Sequence, residues 1–405
     1  MPTSNTQYSA LLKTLYPKTE IYDLAARDKP LLAMLPKNEK AVGDSIAVPV
    51  HYGNTNKRSA SFSIANTNTG ASKTTKFSIG LVEDYATADL NRRTIKASQG
   101  NEGAFKDHFK FEVDDAISAV SQSAARALYG SGTGVIGRIS AGSNVATATI
   151  TLATPSDAIN FQVDMIVQLS ATNGGGSLRS TGATAQVASV NIDTGQITFT
   201  GNLSDSIAAA AANDYIVPAG DYDSKLTGLA GWLPATAPGS TSFFGVNRAL
   251  DTERLGGARL AAGTSVTEDL MKLATKIRQY GGNPDVVFMS PNKWAALATE
   301  IAGKAGNVRY VDVKAGKLSV PFSGIELNGP GGLIKCVNDS YCPDGLTYML
   351  QMNTWTLYSL DQVPHIFNDD EEMVRNPLSD SYNVRMGYYA QLGCNAPGYN
   401  GVLVG

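Results

Sequence analysis

Cysteine and histidine are scarce, with three of each in 405 residues. Cys336, Cys342 and Cys394 cannot all pair with one another, and only the first two are close in sequence. A disulfide framework is therefore excluded, and the three read as reduced, mostly buried thiols. His51, His108 and His365 are scattered, with no i, i+4 pair and no Cys at ligand spacing, which argues against a zinc site. Charge of one sign is missing too: 33 Lys and Arg against 36 Asp and Glu leave a formal −3. No basic field exists to attract nucleic acid, so any contact with it is expected to be non-specific. No apolar run approaches the roughly 20 residues of a membrane span. The N-terminus "MPTSNTQYSALLKTLYPKTE" lacks the basic start and apolar run of a signal peptide, so the expectation is no membrane partner and synthesis in a cytoplasm.

Catalytic chemistry is equally thin. No Ser sits in G-x-S-x-G, and no acid, base and nucleophile constellation emerges. "GTGVIG" (Gly132, Gly134, Gly137) matches a dinucleotide fingerprint, but that motif needs a strand before it and a helix after it. Here the glycines follow a helix and lead into strands, so a flexible hinge is the expectation. The acidic run from Asn368 to Glu372, and Asp221 with Asp223, lack the loop spacing of a calcium motif and read as solvated turns. The expectation is no enzyme, no cofactor and no metal.

What the sequence does contain is one long helix. "AFKDHFKFEVDDAISAVSQSAARALYG", Ala104 to Gly130, has no Pro and no internal Gly. Phe105, Phe109, Val113, Ala116, Ile117, Val120, Ala124, Ala127 and Leu128 fall on one stripe, and Gly130 is placed to close the C-terminus. Before it, Ser9–Lys40 is broken by Pro at three positions and reads as an arm with short helices. From Ala41 to Leu90 the pattern is strand, polar tip, strand: "DSIAVPVHY" goes out and "KFSIGLVEDYATADL" returns. Lys57, Arg58, Lys73 and Lys76 are the only charges of the tip. A hairpin of that length with little apolar material of its own needs something outside the subunit to hold it.

After the helix, "NVATATITL", "FQVDMIVQLS", "ATAQVASVNIDTGQITFTG" and "NDYIVPAG" are short strands of an inserted β-barrel or sandwich. "TSVTEDLMKLATKIRQYGG" then reads as a capped amphipathic helix, "PDVVFMS" as a buried strand, and a second helix starts at Ser290 with Pro291 in its first turn. The remainder is mainly strands, ending in the run "SYNVRMGYYAQLGCNAPGYNGVLV".

This order of segments resembles the HK97-type major capsid proteins of tailed bacteriophages. The similar stretches are "LYPKTEIYDLAARDKPLLAMLPK" in the arm, "GLVEDYATADL", the long helix as the spine, "LTGLAGWLP" where the chain re-enters the body, "LMKLATKIRQYGGNPDVVFMSPNKWAAL" and "YYAQLGCNAPGYNGVL". The resemblance implies an α+β fold with an N-terminal arm (1–40), an extended β-hairpin or E-loop (41–95), the spine helix of the P domain (96–134), an inserted small β-barrel-like domain (135–222), a return to the body (223–262), an axial A domain (263–325) and a β-rich remainder with the C-terminal strand (326–405). It implies a shell of hexamers and pentamers of this chain enclosing double-stranded DNA in a virion. A portal, decoration or cement proteins and, because the chain starts directly with the arm, a separate scaffolding protein are further possible partners. Inter-subunit contacts are expected at Lys57, Arg58, Lys73, Lys76, Tyr16, Leu31 and Leu32. Some members crosslink a hairpin Lys to a neighbour's Asn; no partner Asn or catalytic Glu can be matched here, so no crosslink is expected. The alternatives are an encapsulin-type nanocompartment shell and, in another class, a glycan-binding adhesion protein using the 135–222 domain.

Overall fold

The computed structural model describes residues 29–39, 43, 45–68, 70–91, 102–303, 309–315, 318–367, 374–375 and 381–405. Tyr16, His108 and the acidic run 368–372 lie outside the residues so described or have no described side chain. A single-turn helix α1 (Pro30–Met34) and strand β1 (Lys37–Asn38) precede β2 (Ser45–Gly53) and β3 (Lys73–Gly80). Between the last two lies a short helix, α2 (Phe62–Thr67), and after them β4 (Val82–Asn91) leads towards the long helix α3 (Glu102–Tyr129). At about 1.5 Å per residue, the 28 residues of α3 span about 42 Å. Its stripe is the expected one where side chains are described: Val113, Ala116, Ile117, Val120, Ala124, Ala127 and Leu128 are buried. Ser121 is buried beside them and is satisfied by donating to the Ile117 carbonyl at 2.7 Å.

The chain then builds β5 (Gly137–Arg138), β6 (Thr149–Thr151), β7 (Ile166–Ser170), β8 (Ala185–Asn191), β9 (Gln196–Phe199) and β10 (Tyr215–Pro218). These pair in the order β5-β10-β7-β8-β9-β6, and a bridge from Ile139 to Leu152 joins the two ends. The result is a closed six-stranded barrel around Ile139, Ile150, Val167, Leu169, Val187, Ile197 and Ile216, with a core separate from the body's.

Returning, the chain makes helix α4 (Leu229–Trp232), β11 (Ser242–Phe243), β12 (Val246–Asn247), β13 (Ala258–Ala261), α5 (Val266–Gln279), β14 (Val286–Met289) and α6 (Pro291–Gly303). Ser265 caps α5 by accepting from the Glu268 N–H at 3.3 Å, and Ser290 accepts from the Lys293 N–H at the start of α6. The last strands are β15 (Arg309–Ala315), β16 (Leu318–Gly329), β17 (Gly332–Asn338), β18 (Leu346–Leu350), β19 (Trp355–Ser359), β20 (His365–Ile366), β21 (Val374–Arg375), β22 (Ser381–Cys394) and β23 (Gly401–Val404).

Two sheets organise the body. The axial sheet runs β13-β23-β18-β14-β17-β16-β15. Val287 and Met289 of β14 point to the core under α5 and α6, whereas Val286 and Phe288 join the core shared with α3. The second sheet is organised on β22, which pairs with β4 along one edge and with β19, β20 and β21 along the other; β1 adds in parallel to β19. The three cysteines are free and buried.

Four expectations need correction. Leu31 and Leu32, expected between subunits, are 1% and 2% exposed and belong to the core of their own chain, because α1 lies against α3. The returning hairpin strand divides at Gly80: β3 pairs with β2, while β4 crosses to β22. The hairpin base is also anchored at home, since Val48, Val50, Phe77 and Ile79 are buried in the main core. At about 1.5–3 kcal/mol for each fully buried side chain, that anchoring is substantial. The C-terminal run likewise divides, β22 and β23 lying in different sheets.

The glycine-rich segment after α3 is no loose hinge. Gly228 N–H donates to the Gly130 carbonyl (3.0 Å), Lys225 to Gly132 (3.3 Å) and Asp223 to Thr133 (3.1 Å), so entry to and exit from the barrel run as a pair of rails. Left-handed backbone falls at Gly132 and Gly134 rather than at Gly130. A Cβ on Gly134 would sit 2.3 Å from the Asp221 carbonyl oxygen, so glycine there serves close approach.

Candidate assembly surfaces

The exposed end of the β2–β3 hairpin is the first such surface. Pairing runs from Ser45 opposite Gly80 to Gly53 opposite Lys73. Beyond it, Asn56 N–H donates to the Gly70 carbonyl (3.1 Å), Thr55 Oγ1 bonds the same carbonyl (2.5 Å), and Asn68 Nδ2 reaches the Asn56 and Arg58 carbonyls at 3.4 Å. These local bonds shape the tip without a core; α2 has no buried residue. Lys57, Arg58, Lys73 and Lys76 are all exposed, and none has an ion pair with a described residue. Beside them Phe62 is 87% and Ile64 55% exposed, apolar tip residues that charge-based reading of the sequence passed over. Their signal was present as two large apolar residues in an otherwise polar tip.

The body that carries this hairpin is braced where α3, β4, β22 and the rails meet. Lys225 Nζ lies 2.8 Å from Asp84 Oδ1 and 3.2 Å from Asp221 Oδ1. Ser123 Oγ of α3 donates to Asp84 Oδ2 at 2.6 Å, and Tyr388 Oη of β22 donates to the same oxygen at 3.2 Å. Burial pushes the Asp221 carboxyl above its ordinary value, and Lys225 pulls it back. Asp221 is thus spent in an ion pair, and Asp223 accepts from the Gly175 N–H at 2.8 Å; neither is the solvated turn expected of them. Among the described residues no group of three or more His, Cys, Asp or Glu converges to hold a metal ion.

A second brace fixes the start of the body. Tyr129 Oη donates to Asp339 Oδ2 (2.8 Å), which also accepts from Leu31 N–H (3.3 Å), while Oδ1 accepts from Tyr341 N–H (2.9 Å). The barrel touches the body through Gln162 Nε2, which donates to Gln122 Oε1 of α3 (3.2 Å), and through Asp157 beside Asp344. Burial, then the Asp344 carboxylate, pushes Asp157 up to about 6. Burial works to raise the Asp344 carboxyl, but hydrogen bonds with Ser290, Asn292 and Ser156 and the nearby Lys293 together hold it below its ordinary value.

The described residues thus form a braced body with an uncovered hairpin tip. Across almost its whole length the fold is that of a known viral shell: the chain aligns with the cyanophage A-1(L) capsid at a TM-score of 0.51 and 12% identity, covering 94% of this chain and 92% of that one. The holo-SrpI encapsulin of Synechococcus elongatus (TM-score 0.45, 8% identity, 100% and 96% covered) and the capsid of the native GTA particle (0.46, 11%, 94% and 90%) align less well. No curated protein matches the chain in sequence. Residues 202–383 match the family described as SU10 major capsid protein. The fold is therefore the HK97-like fold of phage capsids, and the stretch 202–383, somewhat under half of the chain, is similar to a major capsid protein family.

Proposed function

We propose that this subunit closes a head shell of hexamers and pentamers by reaching onto its neighbours with the hairpin tip and with the arm preceding Lys29. The observation that carries the reading is the tip itself: four exposed cations and two exposed apolar side chains on a hairpin whose base is locked into its own core. A knob on a rigid stem gives a neighbour a defined target, and obligate contacts of this kind bury about 2,000 Å² or more in total. The spine and its braces supply stiffness, and the near-neutral charge suits a wall that touches packaged double-stranded DNA without gripping it. Assembly takes place in the host cytoplasm, with a separate scaffolding protein, a portal and decoration proteins as the partners such a shell admits. The barrel, on its paired rails, is an appendage whose removal leaves the body's sheets intact, because it has its own core.

The test is charge reversal of all four tip cations, K57E, R58E, K73E and K76E together. The variant should melt like the parent yet sediment as free subunits, and assembly of the parent should weaken with salt. Closed shells at parental yield from the reversed chain contradict the role given to the tip.

A further inference from the structure

A cavity of about 180 Å³ lies between the last turn of α3, the paired rails and the loop after β17. Arg126, in that last turn, lines it. The Arg126 Nε is fully buried, and no described residue accepts a hydrogen bond from it. Burial is the largest influence on the guanidinium and pulls it below its ordinary value, while Tyr341, Asp221 and Asp84 draw it back by charge alone. Neither of those carboxylates is spare: Lys225 pairs with both, and Asp84 also accepts from Ser123 and Tyr388. The negative end of the α3 dipole suits a cation here, but it supplies less than burying an unbonded ion costs.

The missing acceptor has a definite chemistry. A guanidinium presents its N–H groups in a planar fork that matches two oxygens held side by side, as in a carboxylate. Phosphate offers the same pair of oxygens, but Asp221 lines the cavity too and repels a second negative charge. Away from Arg126 the wall turns apolar, with Val135, Ala230, Pro343 and Leu346. Size narrows the choice further, since an apolar cavity of about 150 Å³ takes a benzene ring whereas drug-sized ligands occupy about 300–1,000 Å³. A nucleotide is too large and a short acid is not. We propose that this cavity binds one carboxylate carried on a short apolar group, its two oxygens on the Arg126 guanidinium and its apolar part against Val135, Pro343 and Leu346. The carboxylate belongs to a free acid or to a side chain of another copy. Either occupant touches α3, both rails and the start of β18 at once, and so ties the root of the barrel to the body.

Benzoate is the probe and inorganic phosphate the control, titrated at constant ionic strength into full-length subunits and into assembled shells, with heat of binding as the readout. Parent subunits should take up one benzoate per chain and melt higher when it is bound, and phosphate should bind at least tenfold more weakly. Arg126→Gln removes the fork and Ala230→Leu fills the apolar end; each should weaken benzoate at least tenfold, and if one variant fails to fold the other decides. Uptake by shells as well as subunits assigns the carboxylate to a free acid, and uptake by subunits alone assigns it to a neighbouring copy; both uphold the site. The subunit measurement stands whether or not shells form. No saturable uptake of benzoate, phosphate bound as tightly, or affinity unchanged in a folded variant overturns the proposal.

Discussion

Tyr129 Oη donates to Asp339 Oδ2 at 2.8 Å, linking the last turn of the spine to the loop after β17, where α1 also bonds through Leu31. Three parts of the subunit that are distant in sequence share one buried carboxylate. Tyr129→Phe should destabilise isolated subunits by about 1–3 kcal/mol, since it leaves that carboxylate with one donor fewer. Urea unfolding followed by tryptophan fluorescence measures this, and an unchanged midpoint contradicts the role of the link.

Asp157 gives stability a pH dependence of known sign. Its folded value, about 6, stands above its unfolded one, because burial and then Asp344 disfavour the charged form. The associated stability is therefore fully present below the ordinary carboxylate range and is lost as pH rises from about 4 through about 6. Asp157→Asn should flatten that part of the profile, by up to about 3 kcal/mol. Hydrogen exchange of the barrel and α6 between pH 4.5 and 7.5, in parent and variant, reads the difference.

Lys225 holds two carboxylates, Asp84 and Asp221, within a largely buried junction. Removing it as Lys225→Met should cost about 3–5 kcal/mol, because both acids are then left uncompensated. Adding Asp84→Asn to that variant should recover part of the loss. Thermal unfolding of the three proteins decides; a neutral single variant would mean the junction carries little.

Gly228 tests the rails. A Cβ there would fall 2.1 Å from the Leu128 carbonyl oxygen, where the returning chain crosses the end of α3. Gly228→Ala should lower expression of folded protein sharply, well beyond the roughly 1 kcal/mol typical of point variants. Circular dichroism and solubility report it.

Much of this architecture is visible in the residues. Helix α3 is legible because a stripe without Pro or internal Gly has few other ways to fold, and α5 because Ser265 and the residues after it form a cap. The barrel strands are legible from short alternating runs. What escapes is partner choice. "KFSIGLVEDYATADL" alternates through Gly80 without a break, yet its two halves pair with β2 and with β22, some 300 residues downstream. Leu31 and Leu32 look the same in sequence whether they fill their own core or a neighbour's. Phe62 and Ile64 were overshadowed by the charges around them, and the cavity at Arg126 needs α3, the rails and the loop after β17, which only folding brings together.

Because residues 29–39 pack within their own subunit, the informative truncation removes 2–28 and keeps α1 and β1. That chain should fold, with melting close to the parent, but assemble poorly if the arm serves the neighbours. Parental shells from it would confine the inter-subunit role to the hairpin.

The most direct measurement is the particle formed by the purified chain at high concentration, read together by analytical ultracentrifugation and negative-stain microscopy. Closed, uniform shells or their hexameric and pentameric pieces are expected. A monomer that stays compact and solitary as concentration rises would contradict the account.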